Sequence, residues 1–500
     1  MSEFESDGRM LGPGARNGRP GSSPSRPTIA SVVPLPGRAP VSPVPTRSSA
    51  ADHGLVRELR QTVAEKLSAR LQGAPVPDPS ARRALGRALA AEEIAARNRA
   101  LIRTGEAPWT GAAASDIEDA VMAALFGLGR LQPLIDDLDI ENIEVNGCDQ
   151  VWLSYADGHD EQGPPIADSD AELIEHLQLL AGRMGSAERT FTTTHPSLHL
   201  RLDDGSRLAA MAWTSPRPQV VIRRHRVRDV DLDGLVALGT LDTSLVAFLR
   251  AALRAGKNIV VTGLQNAGKT TMIRALANEF APMERFATIE KEFELHLHEL
   301  PERHPRVMAL EAREGSSEKD VAGRRAGEVT LTDLLTDALR MNLRRIIVGE
   351  VRGGEVIPML EAMSTGDGSL CTIHARSAHH AIDRIVTLCL STGGGMTDTF
   401  AYRLLAGSVD LLVHLDLVDE SPIGGRKHRF VSQVLEINGL GEGNRPATTE
   451  VFGPGADGRA VPKHRPGCLA ELVRRGFDPG FLDHPGGTWD HPLTLVWGPS

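Results

Sequence analysis

The stretch GLQNAGKTT at residues 263–271 constrains this chain more than any other, because it follows the apolar run NIVVT and opens the helix-forming TMIRALANEF. In that strand, loop and helix order it fits G-x-x-x-x-G-K-[ST], a pattern with a direct chemical meaning. Glycines let the loop fold tightly enough for backbone amides to point at phosphate oxygens, and the following helix adds the partial positive charge of its N-terminus. The expected nucleotide contacts are Gly263, Leu264, Gln265, Asn266, Ala267 and Gly268 along the loop, and Lys269 on the β and γ phosphates. Thr270 is expected on magnesium and Thr271 on the α-phosphate side. The output stays open, since kinases, GTPases, transporters and motors share the loop.

The surrounding chain alternates strands with helix-length segments. NIVVTG, FATIE, RIIVGE, LCTIHA and LLVHL read as buried strands, which predicts an α/β domain with a mostly parallel sheet and crossover helices over 229–450. Leu331, Leu334, Leu335, Ala338 and Leu339 share one helix face, and Thr330 with Asp333 can cap its start. Upstream, IENIEVNG, QVWLSYADG, LHLRLDDGSRLAAMAW and QVVIRRH alternate with period two between turns at Asn146-Gly147, Asp157-Gly158 and Asp204-Gly205. They predict a smaller α+β domain over 115–228. Leu55, Val56, Leu59, Val63, Leu67 and Leu71 recur at helical spacing, and a second helix is expected over 81–102, which makes 51–114 a helical segment. Residues 1–50, rich in Pro, Gly, Ser and Arg, predict a disordered tail. Beyond Asp416 one further strand, RFVSQVLEI, is expected, and 451–500 reads as a loop-rich extension.

At 500 residues the chain calls for two or three domains, and 41% hydrophobic with 24% charged residues describes a soluble α/β protein. The net charge of −10 argues against a surface that coats nucleic acid. Cys148, Cys371, Cys389 and Cys468 form no C-x-x-C pair, so neither a zinc site nor a disulfide framework is indicated. With no apolar run of membrane-spanning length and no signal-like start, a cytoplasmic location is expected, with any membrane role reached through a partner.

After the phosphate loop come, in order, ATIEKEFELHL, LEAR, RIIVGEVRGGE and AMSTGDGSLCTIHA. This series resembles the ATPases of type II and type IV secretion and type IV pili, and within them looks like the CpaF-type ATPases of Tad/Flp pilus systems. The resemblance covers roughly 115–450, since FGLGRLQPLIDDLDIENIEVNG and RLDDGSRLAA look like that family's N-terminal domain. It implies a RecA-like P-loop ATPase domain, with ATP and Mg2+ bound between the two domains. Glu290 and Glu294 match the acidic box that orders magnesium-bound and attacking water. Glu350 matches the glutamate of a variant Walker B motif in which the preceding glycine is expected. Thr270, Glu290 and Glu350 are then the expected magnesium set. Arg313 matches an arginine that offsets charge near the γ phosphate in trans. Arg352 is expected to pair with an acidic neighbour or a neighbouring subunit, and His374 matches the second histidine of the family's His box. Arg207 of DGSR and Arg223 of IRRHRVR correspond to arginines at the nucleotide cleft. Taken alone, IRRHRVR reads as a nucleic-acid patch, but the acidic balance of the chain favours the cleft.

Two departures stand out: Lys291 follows Glu290 where the family carries a second acid, and STGDGS is one residue shorter than the family's box and lacks its first histidine. The expectation is an active ATPase whose turnover these positions stand to lower. The resemblance further implies a homo-hexamer acting on an integral-membrane platform at the inner face of the cell membrane, with a pilin or a secreted protein as substrate. Three other outputs share the loop: a conjugation-type DNA-transfer motor, a nucleotide-gated scaffold with little turnover, and a small-molecule kinase.

Overall fold

The computed structural model describes residues 53–72, 78–155, 159–184, 191–224, 230–313, 315, 325–393 and 395–496. The tail expected at 1–50, the turn at Asp157-Gly158, and His225 and Arg226 of the basic stretch lie outside the described residues.

The first helix, α1 (His53–Leu71), buries Leu59, Val63 and Leu67, as their spacing predicts. α2 (Pro79–Thr104) starts earlier than expected, because the Asp78 side chain accepts a hydrogen bond from Ala81 N at 2.9 Å and Pro79 preorganises the first turn. With α3 (Gly111–Phe126) these helices share a core that includes Leu89, Ile94 and Val121. Gly86 permits the close approach of α2 to α3, since a Cβ there would stand 2.4 Å from the Phe126 ring.

A short helix, α4 (Gln132–Asp136), leads into the α+β domain. Its elements are β1 (Ile140–Asn146), β2 (Gln150–Tyr155), β3 (Asp160–Gly163), α5 (Asp170–Met184), β4 (Ser197–Arg201), β5 (Arg207–Met211) and β6 (Gln219–Arg223). The strands form one antiparallel sheet in the order β3-β2-β1-β6-β5-β4. Alternation puts Ile143, Val145, Leu198, Val220 and Ile222 on one face, in a common core with Leu173, Leu177 and Leu180 of α5.

The larger domain opens with α6 (Leu232–Ala237) and α7 (Thr243–Arg254), then β7 (Ile259–Gly263), α8 (Lys269–Ala277), β8 (Phe286–Glu290), β9 (Val307–Glu311) and α9 (Leu331–Ala338). It continues with β10 (Arg345–Val351), α10 (Val356–Thr365), β11 (Leu370–His374), α11 (Ala378–Ser391), α12 (Asp398–Ser408) and β12 (Leu411–Asp419). The run β9-β8-β10-β11-β7-β12 is parallel throughout. This order, with the phosphate loop after the strand β7, is that of a RecA-like P-loop domain. One apolar core lies under α6, α7 and α8, and a second under α9 to α12, so the sheet is covered on both faces. Thr330 and Asp333 form the expected capping box at the start of α9.

The chain beyond Asp419 departs from its expected form. The strand read as RFVSQVLEI is the core of β13 (Lys427–Leu440), and two more antiparallel strands, β14 (Pro446–Pro454) and β15 (Ala460–Pro462), extend the sheet before α13 (Leu469–Arg474). Prolines and a glycine within β14 mask it as a strand in the sequence, yet Val451 and Phe452 are fully buried. The last described segment is fastened rather than loose: Thr488 N donates to Asp242 Oδ2 at 2.7 Å and Trp489 Nε1 to Ala460 O at 2.9 Å. No helix among the described residues is long and apolar enough to cross a membrane.

Candidate nucleotide site

β7 is buried along its whole length and delivers the phosphate loop to the C-terminal edge of the sheet, where parallel α/β folds place ligands. Gly263 is required at the turn because a Cβ there would lie 2.6 Å from Leu415 O of the adjacent strand. Leu264, Gln265 and Asn266 form the exposed apex, Asn266 at φ 61°, while Ala267 is tucked beneath it. Gly268, at φ 92°, begins α8 without any side-chain cap, so the first amides of that helix are left for phosphate oxygens. Lys269, Thr270 and Thr271 follow on its first turn.

Lys269 is buried, with its Nζ donating to Leu264 O at 2.8 Å and to His374 Nδ1 at 3.2 Å. Burial pulls this ammonium down to about 8. His374, at the end of β11, places its Nε2 2.7 Å from Glu350 Oε1. Its two ring nitrogens thus link the loop lysine to the carboxylate. Glu350 lies near the end of β10 and also takes the Arg352 guanidinium on its other oxygen. Burial pushes the Glu350 carboxyl up, but hydrogen bonds from His374 and Arg352 outweigh it and hold the group at about 2. It is therefore a carboxylate at neutral pH, as polarising a water requires.

The acidic box divides into two roles. Glu290, at the end of β8, is 2% exposed, and its Oε2 accepts from Glu294 N and Leu295 N, both at 2.8 Å. Its Oε1 is buried without a hydrogen-bond partner, and burial raises the carboxyl to about 7. The carboxylate that reaches the loop is that of Glu294, whose Oε2 accepts from Thr270 Oγ1 at 3.2 Å. The structure thus brings Thr270 together with Glu294 rather than with Glu290, which instead shapes the segment carrying Glu294. Gly349 belongs to the same arrangement. A Cβ there would stand 3.0 Å from Glu290 Cγ, so the glycine before Glu350 makes room for the acid of the neighbouring strand.

Both arginines of the smaller domain reach this machinery. Arg207 forms an ion pair with Glu294, another with Glu292 at 3.2 Å, and donates to Glu292 O at 2.8 Å. Arg223 Nη2 donates to Asn266 Oδ1 at 2.6 Å. Arg313 lies beside Val329 beyond the edge strand β9, its Nε on Gly327 O at 2.7 Å, and no contact among the described residues joins it to the loop. A magnesium ion fits what is present: a threonine hydroxyl and nearby carboxylates suffice for an ion that takes its other ligands from phosphate and water. Among the described residues no three His, Cys, Asp or Glu side chains converge into a metal cluster of their own.

The two departures from the family pattern lie at opposite edges of the sheet, Lys291 directly after Glu290 at the edge that carries the phosphate loop. Lys291 is exposed. The short turn STGDGS precedes β11, at the edge of the sheet opposite the phosphate loop, and β11 alone spans roughly 13 Å. There Asp367 pairs with Arg344 at 3.2 Å, and Arg345 donates to Gly368 O at 3.1 Å and to Leu253 O at 2.9 Å while pairing with the buried Glu284. The turn therefore anchors the sheet's lower edge. Sequence reasoning missed Arg429 of β13, whose Nε donates to Asn266 O at 2.8 Å. No local pattern marks it, because only strand pairing brings it to the loop.

Fold and site together define a P-loop ATPase. The chain belongs to the type II/IV secretion system protein family, which matches residues 165–459. It is 30% identical over 341 residues to the type IV secretion system protein PtlH of Bordetella pertussis, covering 63% of this chain and 95% of that protein. It is 31% identical over 302 residues to a putative conjugal transfer protein of Mycobacterium tuberculosis, covering 58% of this chain and 80% of that one. Among solved structures it is similar to the VirB11 ATPase of the Brucella suis type IV secretion system, crystallised with sulphate, at 26% identity, 63% and 96% coverage and a TM-score of 0.31.

Proposed function

We propose that this chain is a motor that converts ATP to ADP and phosphate and so powers assembly of a Tad/Flp-like pilus from pilin subunits or export of a secreted protein. It works as a homo-hexameric ring at the cytoplasmic face of the cell membrane, docked on an integral-membrane platform protein. The observation that carries this reading is the landing of Arg207 and Arg223, both from the smaller domain, on Glu294 and Asn266 of the ATPase domain. Nucleotide between the domains would compete for these arginines, so occupancy of the loop becomes a change in domain contact.

Within the site, Lys269 leaves His374 for the β and γ phosphates, and Glu350, ionised by its partners, orients the attacking water. Mg2+, held by Thr270 and the carboxylates of Glu294 and Glu350, would neutralise charge at the β and γ phosphates. Glu290 fixes the loop of Glu294. Arg352 keeps Glu350 in place, and Arg313 is assigned to the site of a neighbouring subunit. Phosphate release by the purified chain tests the enzymatic part: Lys269→Ala and Glu350→Gln are expected to fall to background. Wild-type turnover no higher than either variant would sink it.

The similarity to a conjugal transfer protein supports a second reading, a motor for DNA transfer. Hydrolysis stimulated by single-stranded DNA would favour that reading over protein export.

A further inference from the structure

The loop apex is held from two sides. Arg223 takes the Asn266 side chain, and Arg429 takes its main-chain carbonyl. Arg429 belongs to β13, outside the parallel part of the sheet, and its position follows from pairing alone. β12 pairs with β7 so that Leu415 lies beside Gly263, and β13 pairs with β12 so that Arg429 lies opposite Leu417. Leu415, Leu417 and Arg429 thus project past the strand end on the side where the loop begins. The arginine stem lies over the glycine that opens α8: a Cβ on Gly268 would sit 3.6 Å from Arg429 Cδ and 3.8 Å from Leu415 Cδ2.

Among the described residues only the Nε of this half-buried guanidinium makes a hydrogen bond. Among the described residues no carboxylate is in ion-pair contact with Arg429, Asp419 of β12 feeling its charge only at longer range, and its two Nη groups have no hydrogen-bond partner while the side chain lies against a loop built to receive anions. Strand order gives the direction. Glu350 on β10 and His374 on β11 lie on one side of β7, with the hydrolysed phosphate, whereas β12 and β13 lie on the other. A guanidinium coming from that second side meets the nucleotide away from its γ phosphate.

We propose that Arg429 is a nucleotide-binding residue. Its Nη groups take the α phosphate while its Nε holds the loop through Asn266. This rests on the reading of the loop as the nucleotide site. A planar fork with one arm anchored on the protein is already oriented, so it binds phosphate with little further loss of freedom.

The test uses the full chain and measures dissociation constants for ADP and for a non-hydrolysable ATP analogue. Arg429→Gln is the informative variant, because its amide can still donate to Asn266 O but carries no charge. Both ligands are expected to bind roughly tenfold more weakly, the size of a lost charged hydrogen bond, with the loss appearing in KM rather than kcat. Arg429→Lys, which keeps the charge, is expected to recover part of that affinity. Wild-type affinity in Arg429→Gln would overturn the proposal, since the arginine would then only hold the loop. A loss confined to the ATP analogue would also overturn it, because the contact would lie on the γ phosphate. Absence of nucleotide binding by the wild type, or unchanged binding in Lys269→Ala, would instead remove the reading of the site itself.

Discussion

Nucleotide binding should draw a proton onto Lys269. This side chain is 8% exposed, with its ammonium on a carbonyl and on the His374 ring, and burial pulls it from 10.5 to about 8. That displacement corresponds to about 3 kcal/mol held against the charged form. Phosphate oxygens restore the counter-charge, so the bound lysine stays protonated well above pH 8. The sign follows from linkage: the bound state holds more protons, so affinity falls as pH rises through about 8, roughly tenfold per unit until the bound lysine itself titrates. Calorimetry of ADP binding at pH 8.5, in two buffers of different ionisation enthalpy, should report uptake of about three-quarters of a proton. The terminal phosphates are fully ionised there, and Glu290, at about 7, has already lost its proton. Lys269→Arg provides the comparison, since a guanidinium stays charged throughout and should take up none. Uptake near zero in the wild type, or equal uptake in the arginine variant, would refute the placement of this proton on Lys269.

Two further substitutions test the acidic pair and the short turn. Gly349→Asp restores the residue most phosphate-loop enzymes carry, yet its Cβ would press on Glu290 Cγ at 3.0 Å and add a second carboxylate to a buried site. It should lower stability by about 1–3 kcal/mol, and Glu290→Ala in the same chain should recover part of that loss; thermal unfolding unchanged by Gly349→Asp would mean that the glycine is not there to admit Glu290. Asp367→His returns the histidine missing from STGDGS, but at the far edge of the sheet on an exposed pair worth about 0–1 kcal/mol, so phosphate release should stay within about twofold of wild type. A larger change in turnover would show that this turn communicates with the site.

Much of the ATPase domain was legible because its signals are local. GLQNAGKTT, the apolar runs on either side and the capping box of Thr330 and Asp333 each depend on residues a few positions apart, and each forms the element its spacing predicts. The family resemblance extended this to Glu350 and His374, which the structure joins to Lys269. It was less informative about the acidic box. Glu290 and Glu294 are close in sequence and alike in type, yet one is buried on backbone amides while the other reaches Thr270. The short turn looked like a change in chemistry because sequence order carries no measure of which edge of the sheet a residue occupies.

The sequence alone determined the class of this protein: a phosphate loop between strand and helix, an alternating α/β pattern after it and a smaller α+β domain before it. Tertiary structure alone decided which side chains meet there. Gly349 admits Glu290 through the pairing of β8 with β10, Arg207 crosses from another domain to Glu294, and Arg429 reaches Asn266 across two strand pairings. The physical reason is the range of the forces involved. Turn, cap and periodicity follow from neighbours within a few residues, whereas strand register and domain contact are set by burying whole faces at once.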